Sequence, residues 1–371
     1  MKFIANYILL FIILLVLGIF YKKFEEKRIR EEEQFNNKEI QKFLLDDVTL
    51  AKSKKPILWI HVPYEYNSRN WLSFGSRSSF DLNQPYLYLT VRSIIRFCDE
   101  SFTICIIDDN SFEKLIPNWS INIKKISSPI SDNVRTLGLM NLLYIYGGLI
   151  CPISFVCIKD LKGLYERGIN NNKMGVCETI DRNITSTTFD FYPNIHFSCA
   201  AKNNETVKML IDFIQRTIST DYTAANVFLG DFNRWINKNI KLGKINLIPG
   251  TEIGIRTVDN KQIVLDELLS QEYLNLYAGT YGILIPANEI LNRTNYQWFA
   301  RLSAKQVLES NTIIGSYLLL SNAPTQTGIL EPLESSPDWV GFWKTPLYDI
   351  YMVKQPNYLG NNLNMVPYPR R

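Results

Sequence analysis

Between residues 56 and 158, short continuous apolar runs alternate with amphipathic ones, and this constrains the fold more than any other feature. "PILWIHV" (56–62) is apolar throughout, as a strand covered on both faces must be. "QPYLYLTVRSIIRFC" (84–98) instead spaces Leu87, Val91, Ile94 and Ile95 along one side of a helix. "FTICIIDD" (102–109) reads as a second buried strand, and it ends in two aspartates. "SDNVRTLGLMNLLYIY" (131–146) opens with a Ser/Asp cap, continues as a helix and runs into Gly147, well placed to stop it. "LICPISFVCI" (149–158) follows as a strand interrupted by Pro152. This β-α-β-α-β order predicts an α/β domain with a mostly parallel central sheet.

After residue 170 the pattern loosens. "GVCETI" (175–180) and "IHFSCAAK" (195–202) read as strands, and "NETVKMLIDFIQRTI" (204–218) as an amphipathic helix. "DYTAANVFLGDFNRWI" (221–236) predicts another helix, capped by Asp221. Strand-like "KINLIPGTEIGIRTV" and "GILIPANEIL" complete the domain, and no internal repeat is present.

A chain of 371 residues that is 46% hydrophobic and 20% charged can bury a large core. Its net charge of +4 is too small and too evenly spread for a nucleic-acid surface, so no nucleic-acid partner is expected. The six cysteines form no CxxC pair, and the two histidines, His61 and His196, stand at no metal-ligand spacing from them. Buried thiols are the expectation. No GxxxxGK[ST], HExxH or GxSxG pattern occurs.

The run Phe3–Tyr21 carries no charge over 19 residues. As a helix it would be about 28 Å long, close to the thickness of a bilayer core. Charged "KKFEEKRIREEE" follows it in place of a cleavage site, so it reads as a single-pass anchor. Lys22, Lys23, Lys27, Arg28 and Arg30 lie just after the run and only Lys2 before it. That asymmetry assigns the bulk of the chain to the cytosolic side of a membrane. The sequons at Asn118, Asn183, Asn204 and Asn292 carry little weight against it in so Asn-rich a chain. The expected organisation is an anchor at 1–21, a charged stalk at 22–54, the α/β domain at 55–325 and a Pro/Tyr-rich extension at 326–371.

Ligands of such sheets bind beyond the carboxyl ends of the strands, which is where Asp108 and Asp109 fall. The same "DDNS" stretch equally suits an ordinary turn.

The segment 131–160 resembles glycosyltransferase families with a DXD sugar-binding region. These include initiating mannosyltransferases, capsular polysaccharide synthesis transferases and glucosylating toxins, with a wider likeness to proteins of this kind from large DNA viruses. Their pattern runs D-x-x-R, an apolar helix, then L-Y-x-x-G-G-x-Y-x-D-x-D. Here Asp132 and Arg135 match the first part, and Leu143, Tyr144, Gly147 and Gly148 the second. "KPILWIHVPY" is similar to the family's first strand, with His61 on its His and Tyr64 on its Trp. The DXD acids fall on Pro152 and Ser154, and the D-x-x-R pair stands four residues further from the glycines than in the family.

The resemblance implies a GT-A-like nucleotide-sugar-binding fold and transfer of a hexose from a nucleotide-sugar donor to a glycan or protein acceptor. It implies Asp132 for the sugar hydroxyls, Arg135 for sugar or phosphate and Tyr64 stacked on the base; Asp108 and Asp109, placed by their strand end, would then line the donor pocket. Gly147 and Gly148 would let backbone approach the phosphates. In the family two carboxylates hold a divalent metal that neutralises the departing diphosphate. With Pro152 and Ser154 in their place, no tightly bound metal is expected, Asp108 and Asp109 being the carboxylates that could still hold one, and Arg135 or Lys159 would supply the positive charge. Asp221 is the catalytic acid or base expected beside Asp132 and Arg135, with Glu178 and Asp231 as alternatives and Trp235 bordering a sugar. Two other readings stand beside it: a non-catalytic sugar-binding or structural membrane protein of the same fold, and an unrelated α/β membrane protein.

Overall fold

The computed structural model describes residues 18–21, 23, 55–63, 84–126, 130–180, 190–220 and 231–323. The chain divides into two units, Met1–Asp46 and Asp47–Arg371. In the first, residues 18–21 and 23 are helical, with Ile19, Phe20 and Tyr21 exposed. Among the described residues no helix is long and apolar enough to cross a membrane; the run Phe3–Tyr21 lies outside them up to residue 17.

The second unit is a mixed α/β domain. In chain order its elements begin with β1 (Ile57–His61), α1 (Leu87–Cys98), β2 (Thr103–Ile107), α2 (Ser111–Leu115) and α3 (Ile130–Tyr146). There follow β3 (Gly148–Ile150), β4 (Phe155–Cys157), α4 (Lys162–Gly168), β5 (Met174–Ile180) and β6 (Phe191–Ala200). Next come α5 (Glu205–Thr220), α6 (Asp231–Lys241), β7 (Ile245–Ile248), α7 (Leu265–Leu268) and β8 (Gly282–Leu284). Four helices complete it: α8 (Ala287–Asn292), α9 (Gln297–Arg301), α10 (Ala304–Leu308) and α11 (Ile313–Asn322).

The central sheet has six strands in the order β2-β1-β3-β6-β5-β7. β1 pairs in parallel with β2 and β3, and β5 with β7, whereas β6 runs antiparallel to both β3 and β5. The sheet is therefore mostly parallel, with β6 alone reversed. β4 leaves it to pair antiparallel with β8 in a second, two-stranded sheet.

The apolar runs sit where their composition directs them. Leu58, Trp59 and Ile60 in β1 and Ile104, Cys105, Ile106 and Ile107 in β2 are buried. Each such aliphatic side chain contributes about 1.5–3 kcal/mol relative to exposure. The Trp59 indole donates 3.0 Å to the carbonyl of Gly147, so a polar atom that burial would otherwise leave unpaired closes the end of α3. On α1, Leu87, Val91 and Ile94 are buried as their spacing predicts. Tyr88, Leu89, Thr90, Ser93 and Cys98 are buried as well, because α1 also packs against β4 and α11.

Several boundaries differ from the sequence reading. The helix expected to be capped at Ser131 and Asp132 begins at Ile130, so both residues lie in its first turn, where a carboxylate favours the positive end of the helix dipole. Pro152 does not merely interrupt a strand. The chain turns through residues 151–154 and passes from the central sheet to the small one. β6 starts four residues earlier than expected, at Phe191. The helix expected at 221–236 is described only from Asp231, since 221–230 lie outside the described residues. "KINLIPGTEIGIRTV" gives one short strand, β7, and then a 3-10 turn at Gly250–Ile253.

Asn204 is buried. Its Oδ1 accepts from the backbone N–H groups of Thr206 and Val207, capping α5, while its Nδ2 donates 2.7 Å to the carbonyl of Asn172. A side chain held on both sides cannot carry a glycan in the folded domain. All six cysteines are free and buried. Burial pushes the Cys105 and Cys199 thiols up to about 12.

Candidate active site

Residues from three separate stretches meet at the carboxyl edge of the central sheet. His61 is the last residue of β1, Asp109 lies two residues beyond β2, and Arg135 stands in the second turn of α3. Arg135 lays its guanidinium along the Asp109 carboxylate: Nε donates to Oδ1 at 3.1 Å and Nη2 to Oδ2 at 3.0 Å. Nη1 of the same side chain reaches Oδ1 of Asp132, one turn back on the helix, at 3.0 Å. From the other side His61 Nε2 lies 2.9 Å from Asp109 Oδ1. The imidazole stacks on Phe112 of α2, with centroids 5.5 Å apart and planes at 21°.

The cluster is sunk into the edge. The Asp109, His61 and Arg135 side chains are 8%, 10% and 14% exposed, whereas Asp132 is 52% exposed. Burial works to raise the Asp109 pKa, but hydrogen bonds from His61 and Arg135 outweigh it, and the carboxyl is held below its ordinary value. Asp109 is thus the carboxylate on which the cluster centres. The forked Arg135–carboxylate geometry also restricts how the guanidinium can turn.

Asp108 is occupied differently. Its Oδ1 accepts from the backbone N–H of Ser111 at 2.9 Å and from the Ser111 hydroxyl at 2.6 Å, and its Oδ2 accepts from Asn110 Nδ2 at 2.6 Å. Burial raises its pKa, and these hydrogen bonds more than compensate, leaving it lowered. Of the two aspartates, Asp108 forms the turn into α2 and Asp109 forms the cluster.

Gly147 and Gly148 lie at the other end of α3, on the amino edge of the sheet. Gly148 faces Ile57, the first residue of β1, and a Cβ there would stand 2.2 Å from the Ile57 carbonyl oxygen. A Cβ on Gly147 would stand 2.8 Å from the Lys202 nitrogen. Both residues have positive φ, +73° and +109°. They let the chain leave α3 and enter β3 hard against β1 and the end of β6, and they are not brought together with Asp109, Asp132 and Arg135.

The DXD positions follow β3 on the carboxyl edge. Pro152 offers no side-chain ligand, and Ser154 is buried with its carbonyl accepting from the Ile285 N–H at 3.1 Å. Asp108 and Asp109 are spent on Ser111, Asn110, His61 and Arg135. Among the described residues no three His, Cys, Asp or Glu side chains are grouped to hold a metal ion. The donor set that the described residues bring to this edge does not fit a divalent cation held by side chains.

His196 joins the site without any motif to announce it. It lies on β6 two residues before Ser198, the partner of Ile150, and so level with the Pro152 end of β3. It keeps exposed surface, and the protein packed around it lowers its pKa by desolvation. The charge of His61 acts in the same direction and that of Asp132 against it, which brings His196 into the electrostatic reach of the cluster. The sequence carried only its scarcity as a signal, since strand register across a reversed pairing cannot be read locally.

The remaining expected site residues fall elsewhere or outside. Tyr64 and Asp221 lie outside the described residues. Glu178, buried at the end of β5, accepts from the Gly250 N–H at 2.6 Å and pairs with Arg256. Asp231 pairs with Arg234 within the first turn of α6. Lys159 lies over the Tyr281 ring at 5.2 Å, and Trp235 stacks on Phe213 at 5.8 Å. None of these four belongs to the Asp109 cluster. Compared with family models and with curated proteins, the chain matches none of them.

Proposed function

We propose that the chain is a membrane-anchored glycosyltransferase of GT-A-like fold that transfers a hexose from a nucleoside-diphosphate sugar to a glycan or protein acceptor without a carboxylate-held metal. One observation carries the reading. His61, Asp132 and Arg135, the residues that match the family pattern in two separate stretches, converge with Asp109 on the edge of the sheet where such ligands bind. A mostly parallel α/β sheet is also the architecture that the resemblance implies.

In this reading Asp132, the half-exposed member of the cluster, accepts hydrogen bonds from sugar hydroxyls. Arg135, held by Asp109, sets a fixed positive charge against the diphosphate as its bond to the sugar breaks. The acceptor oxygen forms the new bond and loses its proton to His196, which is exposed on the strand level with Pro152 and whose pKa the surrounding protein lowers. The run Phe3–Tyr21 would hold the domain on the cytosolic side of a membrane.

A second reading, a protein that binds a sugar nucleotide without turning it over, is favoured by the engagement of Arg135 on both Asp109 and Asp132. Calorimetry of the full chain in detergent with nucleoside-diphosphate hexoses tests the first reading. Donor binding that disappears in Asp132→Asn and Arg135→Lys, each folded, supports it. Binding that survives both removes the cluster from the donor site. Binding without donor hydrolysis or transfer selects the second reading.

A further inference from the structure

We propose that the amino edge of the central sheet, opposite the candidate active site, is a docking surface for an anionic lipid bilayer. The proposal rests on the reading of Phe3–Tyr21 as a membrane anchor and adds a second, electrostatic contact made by the folded domain. Lys173 directly precedes β5 and Lys244 directly precedes β7. Because Met174 pairs in parallel with Ile245, the two lysines stand side by side on strands about 5 Å apart. On the other flank of β5, β6 ends at Ala200 on the same edge, and Lys202 follows two residues later. Lys208 lies on the first turns of α5, and Lys238 and Lys241 in the last turn of α6.

Five of these six lysines are exposed and Lys173 is half-buried. Among the described residues no ion pair engages any of them. Across Lys173, 202–208 and 238–244 the only carboxylate is Glu205. Leu242 stands among the lysines at 61% exposure, with Met209 on α5 and Leu247 on β7 also exposed. Lysines around an exposed leucine suit an anionic bilayer, where ammonium groups meet lipid phosphates and the leucine enters the boundary with the acyl chains. A polynucleotide fits less well: these segments carry no aromatic residue on which a base could stack. The chain enters the domain at this same edge, at Lys55 ahead of β1. Docking here turns the carboxyl edge, with Asp109 and Arg135, away from the lipid.

All six native cysteines are buried, so Leu242→Cys gives a single site for an environment-sensitive fluorophore. The labelled full chain is reconstituted into vesicles of phosphatidylcholine alone or with phosphatidylserine added. Circular dichroism in the near ultraviolet checks that each variant is folded. The expected result is a blue-shifted emission, quenched by a lipid-soluble quencher, only with phosphatidylserine. The shift is expected to disappear when Lys238→Glu, Lys241→Glu and Lys244→Glu are combined. Equal emission in both vesicles overturns the proposal, as does a shift that survives charge reversal. So does oligonucleotide binding that charge reversal abolishes while vesicle contact is unchanged. Flotation with neutral vesicles reports on the anchor separately: failure to float removes the anchor, whereas flotation without the emission shift removes only the docking surface.

Discussion

Arg135 and Asp109 lie 26 residues apart in sequence and form a forked ion pair at the carboxyl edge of the sheet, with Nη2 3.0 Å from Oδ2. This pair joins α3 to the end of β2 and draws in His61 and Asp132, so any role of the edge in binding an anion passes through it.

Removing one partner should therefore cost both stability and ligand binding. Asp109→Asn keeps the shape but removes the buried anion of a pair that is 8–14% exposed, leaving Arg135 the half-exposed Asp132. A loss of about 1–3 kcal/mol is expected, below the range for fully buried pairs. Urea unfolding measures it. Unchanged stability would mean that solvent replaces the pair at no cost.

The pKa directions fix how stability depends on pH. Asp109 has a folded pKa below its unfolded value near 3.9, so its contribution is complete above that value and is lost as pH falls through the folded pKa. His196 is also lowered, from an ordinary value near 6.5. Between its folded and unfolded pKa values the unfolded chain binds the extra proton, so stability should decline as pH drops below about 6.5. His196→Gln should flatten this upper part of the profile and leave the decline below about pH 4. Denaturant midpoints across pH read both, and an unaltered profile in His196→Gln would show that His196 does not titrate there.

Gly148→Ala separates the structural part of the glycine pair from any role in ligand binding. The new Cβ would meet the Ile57 carbonyl oxygen at 2.2 Å in backbone with φ +109°. A destabilisation of about 2 kcal/mol or more is expected. Thermal melting detects it as a fall of several degrees. Donor affinity at low temperature should be unchanged; a selective loss of affinity with normal melting would return the glycines to the phosphate site.

Chelation tests the metal. Since Asp108 and Asp109 are engaged and Pro152 has no ligand atom, EDTA should change donor binding or turnover by no more than about twofold. Complete dependence on manganese, restored by titration, would require the edge to rearrange around an ion.

The thiols provide a check on the core. A chromogenic disulfide reagent should find no reactive thiol in the native domain and all six after denaturation, because every cysteine is buried. Rapid native labelling would mean that a strand carrying a cysteine opens readily.

The sequence by itself determined the class of the fold. Continuous apolar runs and 3.6-residue spacings are local properties, written within single strands and helices, and they marked β1, α1, β2, α3, β5 and α5 to within a few residues. It also marked Gly147 as the end of α3 and the cysteines as core. The resemblance brought His61, Asp132 and Arg135 forward, and Asp109 stood at a strand end. Only the tertiary structure decided what these residues do together. Spacing along the chain suggested that Asp132 and Arg135 had drifted from their site; in the fold Arg135 bonds both Asp132 and Asp109, the carboxylate that His61 also meets, and neither residue lies at the glycines. The 17 residues of α3 carry the two groups to opposite edges of the sheet. Asp108 and Asp109 are identical neighbours in sequence, and one forms a turn while the other forms the cluster, because side chains one residue apart point in different directions. His196 reaches the site through β6, the one reversed strand, whose direction and register are set by pairing with β3 and β5 rather than by its own residues.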